Sequence, residues 1–247
     1  MKLLIFLIYA LAVSAVMARR GFWSPARAQI KSSGRRIERV LVVGATGGTG
    51  RELVTQALER GYEVTAFVRT PAKLQLTHPR LKIMSGDVLD AASVDMAVRG
   101  QDAVVSALGH RRLFVPSRVQ SEGARNVLRA METHGVRRFV GETSLGLGNS
   151  AGRMGLLSTF FVLPVILVIY FWDKSRQEQL IAASALEWVI VRPGVLTNGA
   201  KRGVYRHGID VGSYIWMGRI GRADVADFML NQLTDDHYLQ TAPGVVW

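Results

Sequence analysis

The sequence contains no cysteine, which excludes disulfides, thiolate metal sites and a cysteine nucleophile together. Acidic residues are scarce, 19 against 31 lysines and arginines, and the formal net charge is +12. The five histidines have no metal-ligand spacing, so no metal site is expected. No tract alternates aromatic with basic side chains as single-strand binders do, so nucleic acid is not expected as a partner. Internal repeats and low-complexity tracts are also missing, which excludes solenoids and disordered arrays.

What is present is a chain of 247 residues, nearly half of them hydrophobic. That is enough for one large core, and a single domain is the simplest organisation. The positive charge is concentrated at one end. Lys2, Arg19, Arg20, Arg27, Lys31, Arg35, Arg36 and Arg39 stand against Glu38 alone, so residues 1–39 carry +7 of the +12. Within that arm, Leu3 to Ala18 is a 16-residue stretch without a charge. It has two readings: a cleaved secretory signal ending at Val16-Met17-Ala18, or a short uncleaved anchor, since spanning takes about 17–25 residues. The strongly basic flank that follows favours the anchor, with the rest of the chain on the cytoplasmic side. The expected layout is an anchor or signal over residues 1–20, a basic tether over 21–37, and a folded domain over 38–247. A basic arm behind an apolar segment suits a membrane surface with anionic lipid.

From Arg39 onward, β-rich apolar runs alternate with helical stretches. The runs are Val40–Val43, Val64–Val68, Leu81–Met84, Ala103–Ala107, Phe139–Val140 and Trp188–Val191. Between them lie helices over Gly50–Arg60, Ala91–Val98, Ser117–Thr133 and Lys174–Ala183. This alternation predicts an α/β fold: a Rossmann-like, doubly wound parallel sheet with helices on both faces and a small C-terminal extension on the substrate side.

The first strand runs into Gly44, Gly47 and Gly50. A turn this tight from strand to helix needs unusual backbone angles. Gly47 lets the backbone approach a pyrophosphate with no Cβ in the way, and Gly50 lets the helix pack closely on the sheet. Phosphates then sit at the helix N-terminus, where free N–H groups and the dipole favour negative charge. A strand before, a helix after and a second strand ending about 20 residues on complete the dinucleotide fingerprint. At the end of that second strand an acidic side chain would bind the ribose of NAD. Arg69 stands there instead, suited to a 2′-phosphate, so NADPH is the expected cofactor. Asp87 follows the third strand; it has two readings, an acceptor for the adenine amino group or a cap for the next helix.

The segments "VVGATGGTG", "GYEVTAFVR", "GDVLDAASVDMAVRGQDAVVSALG" and "SEGARNVLRAMETHGVRRFV" resemble the atypical short-chain dehydrogenase/reductases. The nearest resemblance is to their NmrA-like and biliverdin-IXβ reductase/flavin reductase branch. It covers residues 38–145 closely and 173–235 loosely. It implies NADPH binding, with Gly44, Thr46, Gly47, Gly48, Thr49 and Gly50 at the phosphates and Arg69 at the 2′-phosphate. Asp87 and Val88 would border the adenine, and Ala107, Leu108 and Gly109 would line the cofactor. The resemblance places Thr143 and Ser144 near the nicotinamide, with a strand-end cap as the other reading of Ser144. It gives Arg192 and Pro193 the shaping of the nicotinamide pocket.

Many short-chain enzymes use Tyr-x-x-x-Lys, the lysine tuning the tyrosine as acid or base. Tyr170 and Lys174 have that spacing. Tyr170 also lies in an apolar run where an aromatic is expected anyway, and the flavin/biliverdin branch lacks the tyrosine. Lys174 with Glu178, at i,i+4, has the further reading of a surface pair. The candidate catalytic set is therefore Ser144, Tyr170 and Lys174. His110, Arg111 and Arg112 follow the fourth strand on the same rim, as partners for acidic substrate groups or as a solvated loop.

Met154 to Trp172 is a 19-residue run without charge. Its length suits a membrane span, but a span here would separate the sixth strand from the strands it pairs with, and Pro164 interrupts it. It is read as an apolar flap over the substrate site or flat on a membrane, with a buried core helix as the alternative. The expected function is an NADPH-dependent oxidoreductase acting at a membrane surface on a small conjugated acceptor of flavin, tetrapyrrole or quinone type. The alternative is a non-catalytic NADPH-binding redox sensor or membrane-complex assembly factor. A sugar-nucleotide epimerase or dehydratase would want a larger C-terminal domain than residues 192–247 supply.

Overall fold

The computed structural model describes residues 32–109, 117–159, 162 and 168–247. The anchor-or-signal segment, the tether as far as Lys31, and His110, Arg111 and Arg112 lie outside the described residues. So do residues 160–161 and 163–167 of the apolar run, Pro164 included.

The chain forms β1 (Arg39–Val43), α1 (Gly48–Glu59), β2 (Glu63–Val68), β3 (Leu81–Ser85), α2 (Ala91–Val98), β4 (Ala103–Ser106), α3 (Val119–His134), β5 (Arg138–Glu142), α4 (Val168–Ala182) and β6 (Glu187–Pro193). Then come β7 (Val195–Thr197), β8 (Arg206–Gly208), β9 (Arg219–Gly221), α5 (Arg222–Asn231) and β10 (Gly244–Val246). The main sheet has eight strands in the order β3-β2-β1-β4-β5-β6-β10-β8. All its pairings are parallel except β10 with β8. This is the doubly wound Rossmann arrangement that the sequence predicts.

The strands are apolar on both sides because both sides are covered. Val40 and Val42 of β1 face one core layer with Leu53, Val54 and Ala57 of α1 and Phe228 and Met229 of α5. Leu41 and Val43 face the other with Val94 and Val98 of α2 and Val127 and Met131 of α3. The order of strands reverses between β1 and β4, which run side by side from Val40 opposite Ala103 to Val43 opposite Ser106. In such sheets the crevice outside the carboxyl ends at this switch point is the ligand position.

Three features differ from the sequence expectation. Helix α4 starts at Val168 rather than Lys174, because Val168 to Trp172 contains no helix breaker and the apolar run continues into the helix. Strands β7 to β10 were not anticipated; each has three residues, too few for an alternation pattern to register. The described end of the tether is not free. Ser33 N donates to Glu187 Oε1 at 2.8 Å and Arg138 donates to Ser32 Oγ at 3.2 Å. The cause is the Glu187 carboxylate, buried at the amino end of β6, which needs every donor it can gather. Among the described residues no helix is long and apolar enough to cross a membrane.

Candidate functional site

Across the carboxyl edge the strands β3-β2-β1-β4-β5-β6 end, in spatial order, near Asp87, Arg69, Gly44, Ala107, Ser144 and Pro193. The sequence candidates therefore share one rim.

At its centre is the glycine turn. Gly44 has φ +81°, and a Cβ there would lie 2.6 Å from the carbonyl oxygen of Ala107. The close approach of β1 and β4 thus demands glycine twice over. A Cβ on Gly50 would lie 2.1 Å from the carbonyl oxygen of Gly44, so α1 folds back onto the turn only with glycine. Gly47 N donates to Gly44 O at 2.9 Å, closing the turn. The next N–H groups, of Gly48, Thr49 and Gly50, find no acceptor among the described residues. They are the orphan donors of the α1 N-terminus, with no carboxylate in that first turn to compete for an anion. Gly47 and Gly48 are exposed and Thr46 is half-buried above them. This cradle fits the phosphates of a dinucleotide.

Thr49 is turned inward. Its hydroxyl donates to Glu142 Oε1 at 3.2 Å beneath the turn. Burial pushes the Glu142 carboxyl above its ordinary range, against the opposing pull of Lys174, the Thr49 hydroxyl and Arg222. From the other side Arg222, first residue of α5, lays its side chain over the turn. A Cβ on Gly48 would lie 2.4 Å from Arg222 Cδ, and Arg222 donates to Asn198 Oδ1 at 2.6 Å. Sequence reasoning missed Glu142, Asn198 and Arg222, because nothing in their local sequence says that they meet.

On the adenosine side, Arg69 is exposed at the end of β2 and makes no hydrogen bond or ion pair among the described residues. Asp87 Oδ1 accepts from Leu89 N at 3.0 Å, while Asp90 caps α2 through Ala92 N at 3.1 Å. Capping, one of the two readings of Asp87, falls to Asp90. Val88 and Leu108 are buried in the core layer against α3, with a Cβ on Gly123 meeting both within 3.0 Å. Gly109 is exposed at the rim and Ala107 half-buried.

On the opposite side a buried ion pair organises the rim. Arg192 Nε and Nη2 donate to Glu178 Oε1 and Oε2 at 2.9 and 2.8 Å, and Thr143 Oγ1 donates to Glu178 Oε1 at 2.6 Å. Arg192, Glu178 and Thr143 are all buried. Glu178 is therefore not part of a surface pair with Lys174; burial gives it a guanidinium partner in bidentate geometry. Arg192 locks β6 to α4, with a further bond to Asn149, and Pro193 ends the strand. Lys174 is buried too. Its Nζ donates weakly to the Glu142 carbonyl at 3.5 Å and stands 5.4 Å from the Tyr170 ring centroid. Tyr170 and Lys174 lie one turn apart on α4, and Tyr170 is half-buried against the small apolar cluster of Leu145, Met154 and Phe171. The rotation of α4 is fixed by Asp173, which turns away to accept from Gln120 N and from Ser121 N and Oγ at the start of α3. Ser144 is half-buried, and among the described residues its hydroxyl bonds only to Leu145 O, at 3.1 Å.

Comparison with known proteins agrees with this geometry. The model of a family described as NAD(P)H-binding matches residues 44–236. The chain is similar to an uncharacterized chloroplastic protein of Arabidopsis thaliana, 33% identical over 174 residues that cover 67% of this chain and 62% of that one. It spans less than two thirds of the length of the curated relatives it matches. Among solved structures it is similar to ChuY of Escherichia coli O157:H7, described as an anaerobillin reductase, with a TM-score of 0.70 at 23% identity over 84% of this chain and 96% of that one. It is also similar to a short-chain dehydrogenase/reductase of Veillonella parvula solved with NADP, with a TM-score of 0.71 at 17% identity over 86% and 95% of the two chains. At these identities the two structures speak for the fold.

Proposed function

Because the chain belongs to the NAD(P)H-binding family, whose Rossmann fold it shares with short-chain oxidoreductases, we propose that it is an NADPH-dependent reductase of a conjugated acceptor of flavin, tetrapyrrole or quinone type. The observation that carries this reading is the pairing of an anion cradle at the α1 N-terminus with the unpartnered Arg69 where an acid would serve NADH. Its finer part, the acceptor class, rests on the resemblance of the quoted sequence segments to the biliverdin-IXβ reductase/flavin reductase branch.

The free backbone N–H groups of Gly48, Thr49 and Gly50 would hold the pyrophosphate, with Gly47 leaving room for its approach, and Arg222 would add a cation from above. Arg69 receives the 2′-phosphate, with Asp87 and Val88 beside the adenine. Bound NADPH supplies the hydride; the protein supplies orientation. The Thr143–Glu178–Arg192 lock keeps the carboxyl end of β5 in register with α4, so that Ser144 after β5 and Pro193 at the end of β6 stand on one rim beside the helix that carries Tyr170 and Lys174. The candidate proton donor on that rim is the hydroxyl of Tyr170, or that of Ser144 once released from the Leu145 carbonyl. The uncharged N-terminal segment holds the protein at a membrane with this site on the cytoplasmic side; a reporter fused after Trp247 that reads extracytoplasmic overturns that placement.

The test is NADPH oxidation by the purified full chain against a panel of flavins, biliverdin and quinones. Turnover on at least one of them is expected. Tight NADPH binding with no turnover on any acceptor overturns the reductase reading in favour of a cofactor-binding sensor or assembly factor.

A further inference from the structure

Beyond the carboxyl ends of β5 and β6, two segments run side by side. Gly155 N donates to Ser213 O at 2.8 Å, and Leu156 N donates to Ile215 O at 3.4 Å. The approach is so close that a Cβ on Gly155 would lie 2.8 Å from the carbonyl carbon of Trp216. This pairing gathers Leu156, Leu157, Tyr214, Ile215 and Trp216, and all five face solvent. Leu157, Tyr214 and Ile215 are each 62% exposed and Trp216 is 76% exposed. Scattered apolar side chains at a surface need no explanation, but a gathered set does. The same segment abuts the site. Val195 N donates to Gly218 O at 2.8 Å, and a Cβ on Gly194, next to Pro193, would lie 2.5 Å from that same oxygen.

We propose that this two-segment patch is the face by which the protein lies on an anionic phospholipid bilayer, with the rim of the site turned toward the lipid. The inference rests on the membrane-surface reading above and names the surface that reading lacks. Trp216 and Tyr214 join an apolar ring to a polar handle, the combination favoured at the headgroup level. From Leu157 the sequence continues without a charge to Trp172. Arg36 and Arg39 are paired with Glu38 and Asp102, so the attraction for anionic headgroups falls to the five basic residues of positions 1–31, Lys2, Arg19, Arg20, Arg27 and Lys31. The uncharged segment Leu3–Ala18 reaches the same bilayer. Its chain enters the fold at the amino end of the sheet, but residues 19–31 span up to about 43 Å when extended, against about 23 Å for β6. A face of this kind delivers an apolar acceptor to the site from the lipid. The rival occupant is a second copy of the chain.

The absence of native cysteine permits a single-site label on the full chain. A nitroxide at Ile215→Cys is compared with one at Glu59→Cys, an exposed position at the far end of α1. Vesicles of phosphatidylcholine with one third phosphatidylglycerol are added, and collision with an aqueous nickel chelate is measured. At position 215 collisions fall about tenfold, while at position 59 they are unchanged; Trp216→Glu returns the collision rate at position 215 to its vesicle-free value while the chain stays vesicle-bound through its N-terminal segment. Equal collision rates at both positions on vesicle-bound chain, or no vesicle binding at all, overturn the proposal. Protection of position 215 before vesicles are added overturns it in favour of a second copy. NADPH oxidation with a water-soluble flavin is read in parallel: if it persists while position 215 stays wet, only the docking face fails.

Discussion

The two halves of the carboxyl rim are built by different means. On the adenosine side, β1, β2 and β3 end in a turn dictated by the backbone: Gly44 against the Ala107 carbonyl, Gly50 against the Gly44 carbonyl, and orphan N–H groups at the start of α1. On the other side, β5 and β6 end among buried side-chain pairs: Glu178 with Arg192 and Thr143, Glu142 with Thr49, and Lys174 at the Glu142 carbonyl. The first half binds through atoms that every residue has, and its specificity lies in the residues that are missing. The second holds charged groups out of water and depends on each partner being present.

That contrast sets the order of expected effects. Glu178→Ala strands the Arg192 guanidinium in the core and costs about 3–5 kcal/mol, read as a shift of the urea midpoint. The apolar double replacement Glu178→Leu with Arg192→Met recovers most of it. If the single change is nearly silent, the second half is not held by its pairs and the contrast is broken. Gly50→Ala forces a Cβ onto the Gly44 carbonyl. It costs about 1–3 kcal/mol of stability, and calorimetric NADPH affinity drops at least about tenfold as the turn opens. Arg69→Glu leaves stability unchanged and reverses the cofactor preference. The NADPH-to-NADH ratio of kcat/KM falls by about 10–100-fold, the worth of one charge-assisted phosphate contact.

The smallest effect is a pH dependence. The folded-state pKa of Glu142 is raised from the ordinary 4.5, chiefly by burial. The folded protein therefore holds a proton that the unfolded chain releases, and this contribution to stability is full below the unfolded pKa. It is lost as the pH rises toward the folded value. Glu142→Gln removes the slope. Its melting temperature matches the parent near about pH 4 and exceeds it by a few degrees near about pH 7. A difference that does not change with pH contradicts the burial of an ionisable group beneath the turn.

The same contrast explains what was legible in the sequence. Strands β1 to β6 and the glycine turn follow from patterns within ten residues, because β periodicity and close backbone approach act locally. The Rossmann order followed from alternation and handedness. Arg69 and Asp87 could be placed by counting from strand ends. The buried side-chain network could not. Thr49 and Glu142 are 93 residues apart, and Thr143 and Glu178 are 35 apart. Arg222 reaches Gly48 only because α5 packs beside α1. Spacing made Lys174 and Glu178 look like an i,i+4 surface pair; burial assigns Glu178 to Arg192 instead. The exposed patch at Tyr214–Trp216 was equally invisible, since three large apolar residues in a row read as core until their neighbours are known.

The central claim is that a phosphate-bearing dinucleotide rests on the N-terminus of α1. It is tested most directly by a structure of the full chain with NADPH. The account predicts the pyrophosphate over the N–H groups of Gly48 and Thr49, with the 2′-phosphate at Arg69. A cofactor bound elsewhere, or a cradle left empty at saturating NADPH, contradicts it.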